Sequence, residues 1–376
     1  MKLLGTLWML DLCVIQSLTP IIQIDDVDEI ILVRNRPGPP LPKVRYHCPP
    51  KILNAFFLTR ILSKLVMMMY LIVKEKPDAI ISYYMKASGI IALISAKLFN
   101  LPVNFNVMSG PEEYQLLRCK GKDYRLKLME KVLLFLTKHF DSITTTGTKT
   151  KEYLMQNGID KEILVLPASV DMEKFSPETE KKEYDLLIVA RFDPAKQVHI
   201  FLQVVAKVKK FKPDIRAGIV GDGDLREELT RLSHELSIED NVEFLGYRHN
   251  VEDFYKLSKI YILTSKREGF PMVVLEAMGC GLPCVISNVG NVTDLAEDGY
   301  NAIVVQDCTD VDGFVNGIKK LLEDKTFYRK ISENAFSTVR QKFSYEHARC
   351  TWETILKQLT DKKKVGGVSL KTDEGS

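Results

Sequence analysis

The sequence predicts an α/β protein made of two doubly wound parallel-sheet domains that face a cleft. Its 376 residues suit two domains of about 150–200 residues each. Short apolar runs alternate with amphipathic helical stretches along most of the chain, and this alternation is typical of parallel sheets covered by helices. With 45% hydrophobic and 27% charged residues, the composition is that of a folded protein and excludes wholesale disorder.

The first half is predicted to form a domain of residues 1–170. Its candidate strands are residues 3–8, 29–33, 79–83, 103–107, 142–145 and 163–166, and its clearest helix is residues 125–140. Asp11 interrupts the apolar start of the chain, which favours a buried first strand over a signal peptide. Arg60 and Lys64 lie inside the long apolar stretch 53–73, which favours a core or surface-lying helix over a membrane span.

The second half is predicted to form a domain of residues 171–343. Its candidate strands are residues 185–191, 215–220, 241–245, 259–264, 283–287 and 301–305. One helix is predicted to open at Pro194, and another covers residues 225–236. Residues 344–361 form the last predicted helix, and residues 362–376 have no apolar periodicity, which predicts a disordered tail. Ligands of such sheets bind beyond the carboxyl ends of the strands, so function is expected in the loops that follow them.

Charge is distributed unevenly between the halves. Lys and Arg outnumber Asp and Glu by 22 to 15 over residues 1–167, whereas the ratio over residues 168–376 is 30 to 34. The basic half suggests an anionic surface or substrate, although an ordinary solvated surface explains it equally well. Residues 118–138 hold seven cations against Asp123 and Glu130. They predict a peripheral contact with an anionic membrane, the alternative being a helix packed on the sheet with its cations in solvent.

The seven cysteines are odd in number and scattered, with no CxxC pair. This spacing fits neither a disulfide framework nor a zinc site. We therefore expect reduced thiols in a cytoplasmic protein. The basic region 118–138 adds the expectation that the protein lies peripherally on the inner face of the membrane. No basic and aromatic pattern indicates a nucleic-acid partner.

The most informative segment follows the predicted strand 259–264 and reads EGFPMVVLEAM from Glu268 onward. Gly269 and Pro271 open a helix, where proline is tolerated because its missing N–H would be unpaired anyway. The free N–H groups and the helix dipole at that end favour a phosphate or pyrophosphate. Glu276 lies further along the same helix, and its carboxylate is suited to accept two hydrogen bonds from a ribose diol.

Two further segments follow predicted strands. Arg191 and Lys196 lie on the loop after residues 185–191, where two cations can neutralise charge that develops on a leaving diphosphate. Gly221 and Gly223 form a turn that lets the backbone approach a ligand closely, although such turns also occur in plain loops.

In this order and spacing, the three segments resemble the family 4 retaining glycosyltransferases of the Rossmann-like GT-B fold. The hallmark of that family is two glutamates separated by seven residues, which Glu268 and Glu276 match. The resemblance covers nearly all of residues 184–345. It implies catalytic roles for Glu268 at the donor sugar and for Arg191 and Lys196 at the diphosphate, with Glu276 on the ribose. The donor-binding residues that it implies are Arg191, Lys196, Gly221, Gly223, Glu268, Gly269, Phe270, Pro271, Met272, Val273 and Glu276.

The resemblance also implies a reaction. A sugar would move from a UDP- or GDP-sugar to a glycan or lipid-linked acceptor with retention of configuration, and without a metal or other cofactor. The leaving diphosphate would take the proton of the acceptor. Residues 344–361 would cross back onto the first domain.

The first half departs from the family pattern in two ways. Only Gly5 stands where family members often have a glycine-rich loop, and Met108 or Ser109 stands where many have a histidine. Ser109, Gly110 and Glu112 are the candidates for the acceptor side. The departures keep open a non-catalytic nucleotide-sugar-binding partner subunit as the alternative, and an epimerase as a weaker one.

Overall fold

The computed structural model describes residues 1–7, 9, 11–54, 56–108, 110–114, 124–178 and 182–368. The chain divides into two compact units. The N-terminal unit comprises Met1–Ala168 together with the residues from Tyr345 onward, and the C-terminal unit is Ser169–Ser344. Each unit is an α/β structure with its own parallel sheet, as the alternating pattern predicts.

The sheet of the N-terminal unit has seven parallel strands in the order β3-β2-β1-β4-β5-β6-β7. The strands are β1 (Lys2–Thr6), β2 (Glu29–Val33), β3 (Val44–His47), β4 (Ala79–Tyr83), β5 (Val103–Val107), β6 (Ser142–Thr145) and β7 (Ile163–Val165). Strand β3 is not among the strands that the sequence predicted. This edge strand is only half-buried and reads VRYH, so it lacks the apolar run of a central strand.

Helices cover both faces of this sheet. They are α1 (Asp11–Ile22), α2 (Phe57–Glu75), α3 (Ile90–Leu98), α4 (Tyr124–Thr137), α5 (Thr148–Gln156) and α13 (Tyr345–Val368). Residues of α1 and α13 share one core cluster with β1 and β2, and residues of α2, α3 and α4 share another with β4 and β5. In the described part of the chain, none of the helices combines the length and hydropathy that a membrane crossing requires.

The last helix is longer than the sequence predicts. It continues to Val368, so residues 362–368 are helical where a disordered tail was expected to begin. Trp352, Ile355 and Leu359 of this helix are fully buried against α1 and the sheet. Lys363 forms an ion pair with Asp78 at 2.7 Å. These contacts of the N-terminal unit anchor the helix along its length.

The C-terminal unit contains six parallel strands in the order β10-β9-β8-β11-β12-β13. The strands are β8 (Tyr184–Val189), β9 (Ala217–Val220), β10 (Val242–Gly246), β11 (Ser258–Leu263), β12 (Cys284–Ser287) and β13 (Ile303–Val305). The helices are α6 (Val198–Lys209), α7 (Arg226–Glu235), α8 (Val251–Lys256), α9 (Met272–Gly279), α10 (Val292–Leu295), α11 (Val311–Glu323) and α12 (Lys325–Lys342).

The strand order of the C-terminal sheet reverses between β8 and β11. From β8 the chain builds outward through β9 and β10, and from β11 it builds outward in the other direction. Ligands of such sheets bind at this switch point, outside the carboxyl ends of the strands. The loops that follow β8 and β11 contain Lys196 and Glu268, so the sheet order brings the two strongest sequence motifs to one edge.

Candidate functional site

Lys196 and Glu268 form the centre of the site. The Lys196 Nζ donates to both carboxylate oxygens of Glu268, at 2.7 Å to Oε1 and 2.9 Å to Oε2. Their side chains are 23% and 11% exposed, so the pair is largely withdrawn from solvent while still reachable from outside. The residue expected at the donor sugar, Glu268, and a residue expected at the diphosphate, Lys196, therefore contact each other directly.

Backbone contacts hold the two loops together around this pair. The Thr264 hydroxyl donates to the carbonyl oxygens of Lys196 and Gln197, both at 3.1 Å. The Lys266 N–H donates to the Ala195 carbonyl oxygen at 2.8 Å. These bonds fix the positions from which the Lys196 and Glu268 side chains meet.

The helix after the Arg191 loop starts later than predicted. Helix α6 begins at Val198 rather than at Pro194, and Gln197 before it has a φ of +48°. This left-handed conformation turns the chain into the helix, and it is uncommon for a residue with a side chain. Lys196 therefore lies on the loop and not on the first turn of a helix.

Arg191 binds its near neighbour Asp193. The guanidinium contacts the Asp193 carboxylate at 2.6 Å and is 76% exposed. Burial alone would raise the pKa of Asp193, but the hydrogen bonds from Arg191 and from the Ala195 N–H outweigh it and hold that pKa below its usual value. The structure thus joins Lys196 to Glu268, while Arg191 extends from the same loop toward solvent.

The glycine turn after β9 packs against the Arg191 loop. Gly221 has a φ of +136°, and a Cβ at this position would lie 1.8 Å from the Ala190 carbonyl oxygen. Gly223 approaches Phe192 in the same way, and the Phe192 N–H donates to the Asp222 carbonyl oxygen at 2.9 Å. Glycine at 221 is therefore required by this packing, whether or not a ligand also uses the turn.

The start of α9 is held by a loop that the sequence analysis did not single out. Asn291, which is buried, donates to the Gly269 carbonyl oxygen from its backbone N–H at 3.0 Å and from its Nδ2 at 3.2 Å. Gly290 has a φ of +57°, and a Cβ there would lie 2.3 Å from the Glu268 carbonyl oxygen. A glycine followed by asparagine after a buried strand was the only signal in the sequence.

The four residues after Gly269 form the N-terminus of the helix. Pro271 is the capping residue before Met272 and Val273, and the Phe270 ring packs 5.8 Å from the Phe343 ring. The Met272 and Val274 N–H groups already donate to the carbonyl oxygens of Phe270 and Pro271, both at 3.0 Å, so the helix dipole is what attracts an anion to this end. This end of α9 adjoins Glu268 in the chain and is a suitable seat for a phosphate.

Glu276 is buried in the second turn of α9. The Tyr255 hydroxyl donates to its Oε2 at 3.1 Å. Complete burial, reinforced by the Glu276 charge, raises the pKa of Tyr255 well above its ordinary value, so the phenol stays a proton donor. The tyrosine was missed because it lies on α8, far from the motif in sequence.

The predicted acceptor-side residues lie in the N-terminal unit. Gly110 starts a short 3₁₀ turn with a φ of +77°, Glu112 belongs to the same turn, and Ser109 is outside the described residues. The neighbouring Glu113 is buried and accepts a hydrogen bond from the Met85 N–H at the end of β4. Glu113 thus holds this turn near the carboxyl end of the strands.

The C-terminal unit is similar in sequence to known glycosyltransferases. Residues 169–338 match the family described as glycosyl transferases group 1. The chain is 26% identical over 300 residues to the UDP-Gal:alpha-D-GlcNAc-diphosphoundecaprenol alpha-1,3-galactosyltransferase of Escherichia coli, which covers 75% of this chain and 76% of that protein. It is 32% identical over 182 residues to the N-acetyl-alpha-D-glucosaminyl L-malate synthase of Bacillus anthracis, about half of each chain at 46% and 47%.

The fold of the chain is similar to that of a protein of known structure. HepE of Anabaena in complex with UDP superposes with a TM-score of 0.78 at 19% identity, over 95% of this chain and 100% of that one. The prediction of two parallel-sheet domains of the GT-B kind is therefore confirmed.

Proposed function

We propose that this protein is a retaining, metal-independent glycosyltransferase that moves a sugar from a UDP- or GDP-sugar to a glycan or lipid-linked acceptor. The observation that carries the proposal is the bond of Lys196 to both carboxylate oxygens of Glu268. The pair lies at the switch point of the C-terminal sheet, next to the N-terminus of α9. UDP is the favoured nucleotide because the similar galactosyltransferase and the HepE complex are both named for it.

The chemistry of the pair suits a nucleotide diphosphate sugar. A lysine ammonium has three N–H donors and Lys196 gives bonds to two Glu268 oxygens, so a third donor remains for a diphosphate oxygen. The Glu268 carboxylate has further lone pairs, which can accept bonds from sugar hydroxyls. Because Glu268 already orients the ammonium group, little side-chain freedom is lost when a donor binds.

We propose that transfer occurs as one balanced exchange at the anomeric carbon. The bond from that carbon to the diphosphate oxygen breaks, and a bond to the acceptor oxygen forms on the same face. The acceptor proton goes to the departing diphosphate. Negative charge grows on that diphosphate in the transition state, where Lys196, Arg191 and the N-terminus of α9 stabilise it more than in the ground state.

The acceptor class follows from the relatives. The galactosyltransferase is named for a diphosphoundecaprenol-linked sugar, which supports a lipid-linked acceptor for this chain as well. We therefore propose a cytoplasmic transferase that works peripherally at the inner face of a membrane. This proposal concerns the acceptor and the membrane, and it is independent of the proposed donor chemistry.

The test is product analysis with a panel of UDP- and GDP-sugars. Without an acceptor, we expect slow release of free nucleoside diphosphate, and with a lipid-linked acceptor we expect a product whose NMR coupling constants show retained configuration. EDTA should leave both rates unchanged. Binding of a donor without any release supports the partner-subunit alternative, and an inverted product or a strict metal requirement contradicts the proposal.

A further inference from the structure

Helix α2 exposes an apolar stripe along its outer side. Its members are Leu58, Leu62, Val66, Tyr70 and Val73, and their exposed fractions lie between 56% and 77%. Four of them follow one another at a spacing of four residues, so they share one face of the helix. The opposite side packs on the sheet, where Met68 and Leu71 are fully buried. The α2 stripe is therefore a second apolar face that the N-terminal core does not use.

The residues around the start of α2 extend this surface. Ile52, Phe56 and Phe57 are also exposed, at 82%, 73% and 59%. A groove of about 490 Å³ runs beside the stripe and is lined by Pro50, Leu53, Leu62, Val66 and Tyr70, among others. Its walls are almost wholly apolar.

The neighbouring helices of the same layer continue the pattern. Helices α3 and α4 pack on the same face of the sheet as α2. Their exposed apolar side chains are Ile94, Leu98, Leu128, Met129, Val132 and Phe135. In the described part of the C-terminal unit, by contrast, the exposed large apolar side chains are Phe211, Tyr247 and Tyr300. Exposed apolar surface is thus concentrated on the outside of one helical layer.

The cations around the α2 stripe indicate which kind of partner this surface fits. From Ile30 to Lys74 the sequence contains eight Lys and Arg residues and no Asp or Glu. Of these cations, Arg34 and Lys64 are buried, and Arg45 forms ion pairs with Glu29 and Glu75, so they do not contribute to the surface charge around the stripe. The Arg60 guanidinium lies over the Phe57 ring and the Lys74 ammonium over the Tyr70 ring, each 5.5 Å from the ring centroid, so cations border the stripe. Lys127 and Lys131 on α4, and Lys138 directly after it, are exposed beside the apolar side chains. An apolar stripe with a cationic border is complementary to an anionic lipid surface, whereas a second copy would bring like charges together.

We propose that the outer face of the α2–α4 layer docks on an anionic lipid bilayer, with α2 lying in the interface and its stripe inserted among the acyl chains. The contact differs from the one that the sequence predicted. The basic region 118–138 contributes a border through Lys127, Lys131 and Lys138, and its residues 115–123 lie outside the described structure. The apolar insertion comes from α2, which the sequence left open as a core or surface helix.

The docking deepens the proposed function, because a lipid-linked acceptor is presented at such a surface. It can be tested without substrates by cosedimentation of the full chain with vesicles of phosphatidylcholine alone or mixed with phosphatidylglycerol. We expect stronger binding to the mixed vesicles, weakened but not abolished by salt. The double variant Leu62→Ser/Val66→Ser should bind at least about tenfold more weakly, since two inserted apolar side chains are lost. Both positions face solvent, so the fold should be retained.

The matched control is Phe211→Ser, which removes an exposed aromatic ring of the C-terminal unit that also lies near a cation, Lys319 at 5.9 Å. It should bind vesicles as the unchanged protein does. Calorimetric UDP binding should be the same for all three proteins. If none of the three proteins binds UDP but the unchanged protein still binds vesicles, the donor proposal is contradicted and the docking proposal is not.

A tryptophan reporter gives a second measurement. In Val66→Trp, emission should shift to the blue and be quenched by brominated lipids, whereas Phe211→Trp should show neither effect. The proposal is overturned if the double variant binds vesicles as well as the unchanged protein does, or if position 66 shows no emission shift. It is also overturned if the protein does not bind vesicles and the double variant abolishes its self-association. Complete loss of binding in Lys127→Gln/Lys131→Gln, with the double variant unaffected, also overturns it and favours a purely basic dock.

Discussion

The Lys196–Glu268 ion pair is partly shielded from solvent and still accessible to a ligand. The pair is shielded enough for its attraction to exceed that of a surface ion pair, yet it remains open to a ligand. Arg191 is different, because its contact with Asp193 is largely exposed and such pairs are worth about 0–1 kcal/mol. Arg191 can therefore leave Asp193 for a bound diphosphate at little cost.

The first prediction concerns Lys196. We expect Lys196→Met to lower turnover about a hundredfold while UDP binding weakens less, because the missing cation acts mainly on charge that develops in the transition state. Steady-state kinetics and calorimetry measure the two effects. Lys207→Met is the control, since Lys207 pairs with exposed Asp312 at 2.7 Å outside the site. Equal turnover in the two variants would exclude a catalytic role for Lys196.

The second prediction concerns Glu276. If its carboxylate accepts bonds from the ribose, Glu276→Ala should weaken UDP binding by about 1–3 kcal/mol, as expected for hydrogen bonds to a charged group. Tyr255→Phe retains the Glu276 carboxylate and removes only the Tyr255 hydroxyl that donates to it. This variant should lose much less affinity. The ribose assignment fails if calorimetry shows that folded Glu276→Ala binds UDP normally.

The third prediction concerns Lys64, which is buried on the inner side of α2. Burial, aided by the charges of Arg60 and Arg34, lowers the pKa of Lys64 from 10.5 to about 8. Between these values the unfolded chain holds a proton that the folded chain has released, so the free energy of unfolding should rise as pH increases from about 8 to about 10. Below pH 8 both states are protonated and the full cost of burying the charge remains.

Lys64→Met should therefore raise the free energy of unfolding at pH 7 by about 3 kcal/mol and remove this rise with pH. Urea unfolding at several pH values compares the variant with the unchanged protein. Lys74→Met, on the exposed side of the same helix, should change neither quantity appreciably. Parallel pH profiles for Lys64→Met and the unchanged protein would show that Lys64 keeps its ordinary pKa when folded.

At the scale of elements, the site depends on loops that support one another. The loop after β12 holds the loop after β11, because Gly290 allows the close approach to Glu268 and Asn291 binds Gly269. The loop after β11 in turn holds the loop after β8 through Thr264. The positions of Lys196 and Glu268 are thus set by a chain of neighbouring strand ends, each short and buried.

The fourth prediction tests that chain of support. Gly290→Ala should shift the Glu268 segment and lower turnover strongly, because the added Cβ would lie 2.3 Å from a backbone oxygen. Gly299→Ala is a matched control with a similar φ of +71° and open space around the added Cβ. Both variants carry the same backbone strain, of about 1 kcal/mol, and Gly290→Ala adds the cost of the clash, so its thermal unfolding temperature should fall further than that of Gly299→Ala. Equal turnover would mean that the Gly290 contact does not position Glu268.

At the scale of the whole molecule, the two units differ in how the chain builds them. The C-terminal unit is one continuous segment, Ser169–Ser344, and it contains every residue assigned here to the donor. The N-terminal unit needs both ends of the chain, because α13 fills its core with Trp352, Ile355 and Leu359. Only the C-terminal unit can therefore be isolated as a simple fragment.

The fifth prediction is that residues 169–344 alone fold and bind UDP. The fragment has its own parallel sheet and its own core, which are the requirements for independent folding. We expect cooperative urea unfolding and a Kd for UDP within about tenfold of that of the full chain, since the same groups make the contacts. Glu276→Ala in the fragment serves as the control with weakened UDP binding. A fragment that folds but does not bind UDP would show that donor binding requires the N-terminal unit.

Much of the fold could be predicted because its signals are local. Buried parallel strands are continuous apolar runs and the helices between them have their own period, so twelve strands could be located from short windows of sequence. Strand β3 was missed because an edge strand lacks that run. The helix start at Pro194 was placed too early because the left-handed Gln197 depends on contacts between loops and not on local preference. The extent of α13 depends on its packing against β1 and α1, hundreds of residues away.

The sequence by itself determined the two-domain α/β class and which residues are proposed to carry the chemistry, since the motif from Glu268 to Glu276 and the Arg191–Lys196 loop are recognisable within a few residues. Only the tertiary structure decided that Lys196 binds Glu268, that Tyr255 binds Glu276 and that Gly290 supports the Glu268 segment. These pairs are formed by the order of strands in the sheet, which no local window of sequence contains. The exposure of the α2 stripe is likewise decided only by the tertiary structure. Its residues are as apolar as those buried on the other side of the helix, and only the position of the sheet decides which side is covered and which is left for a membrane.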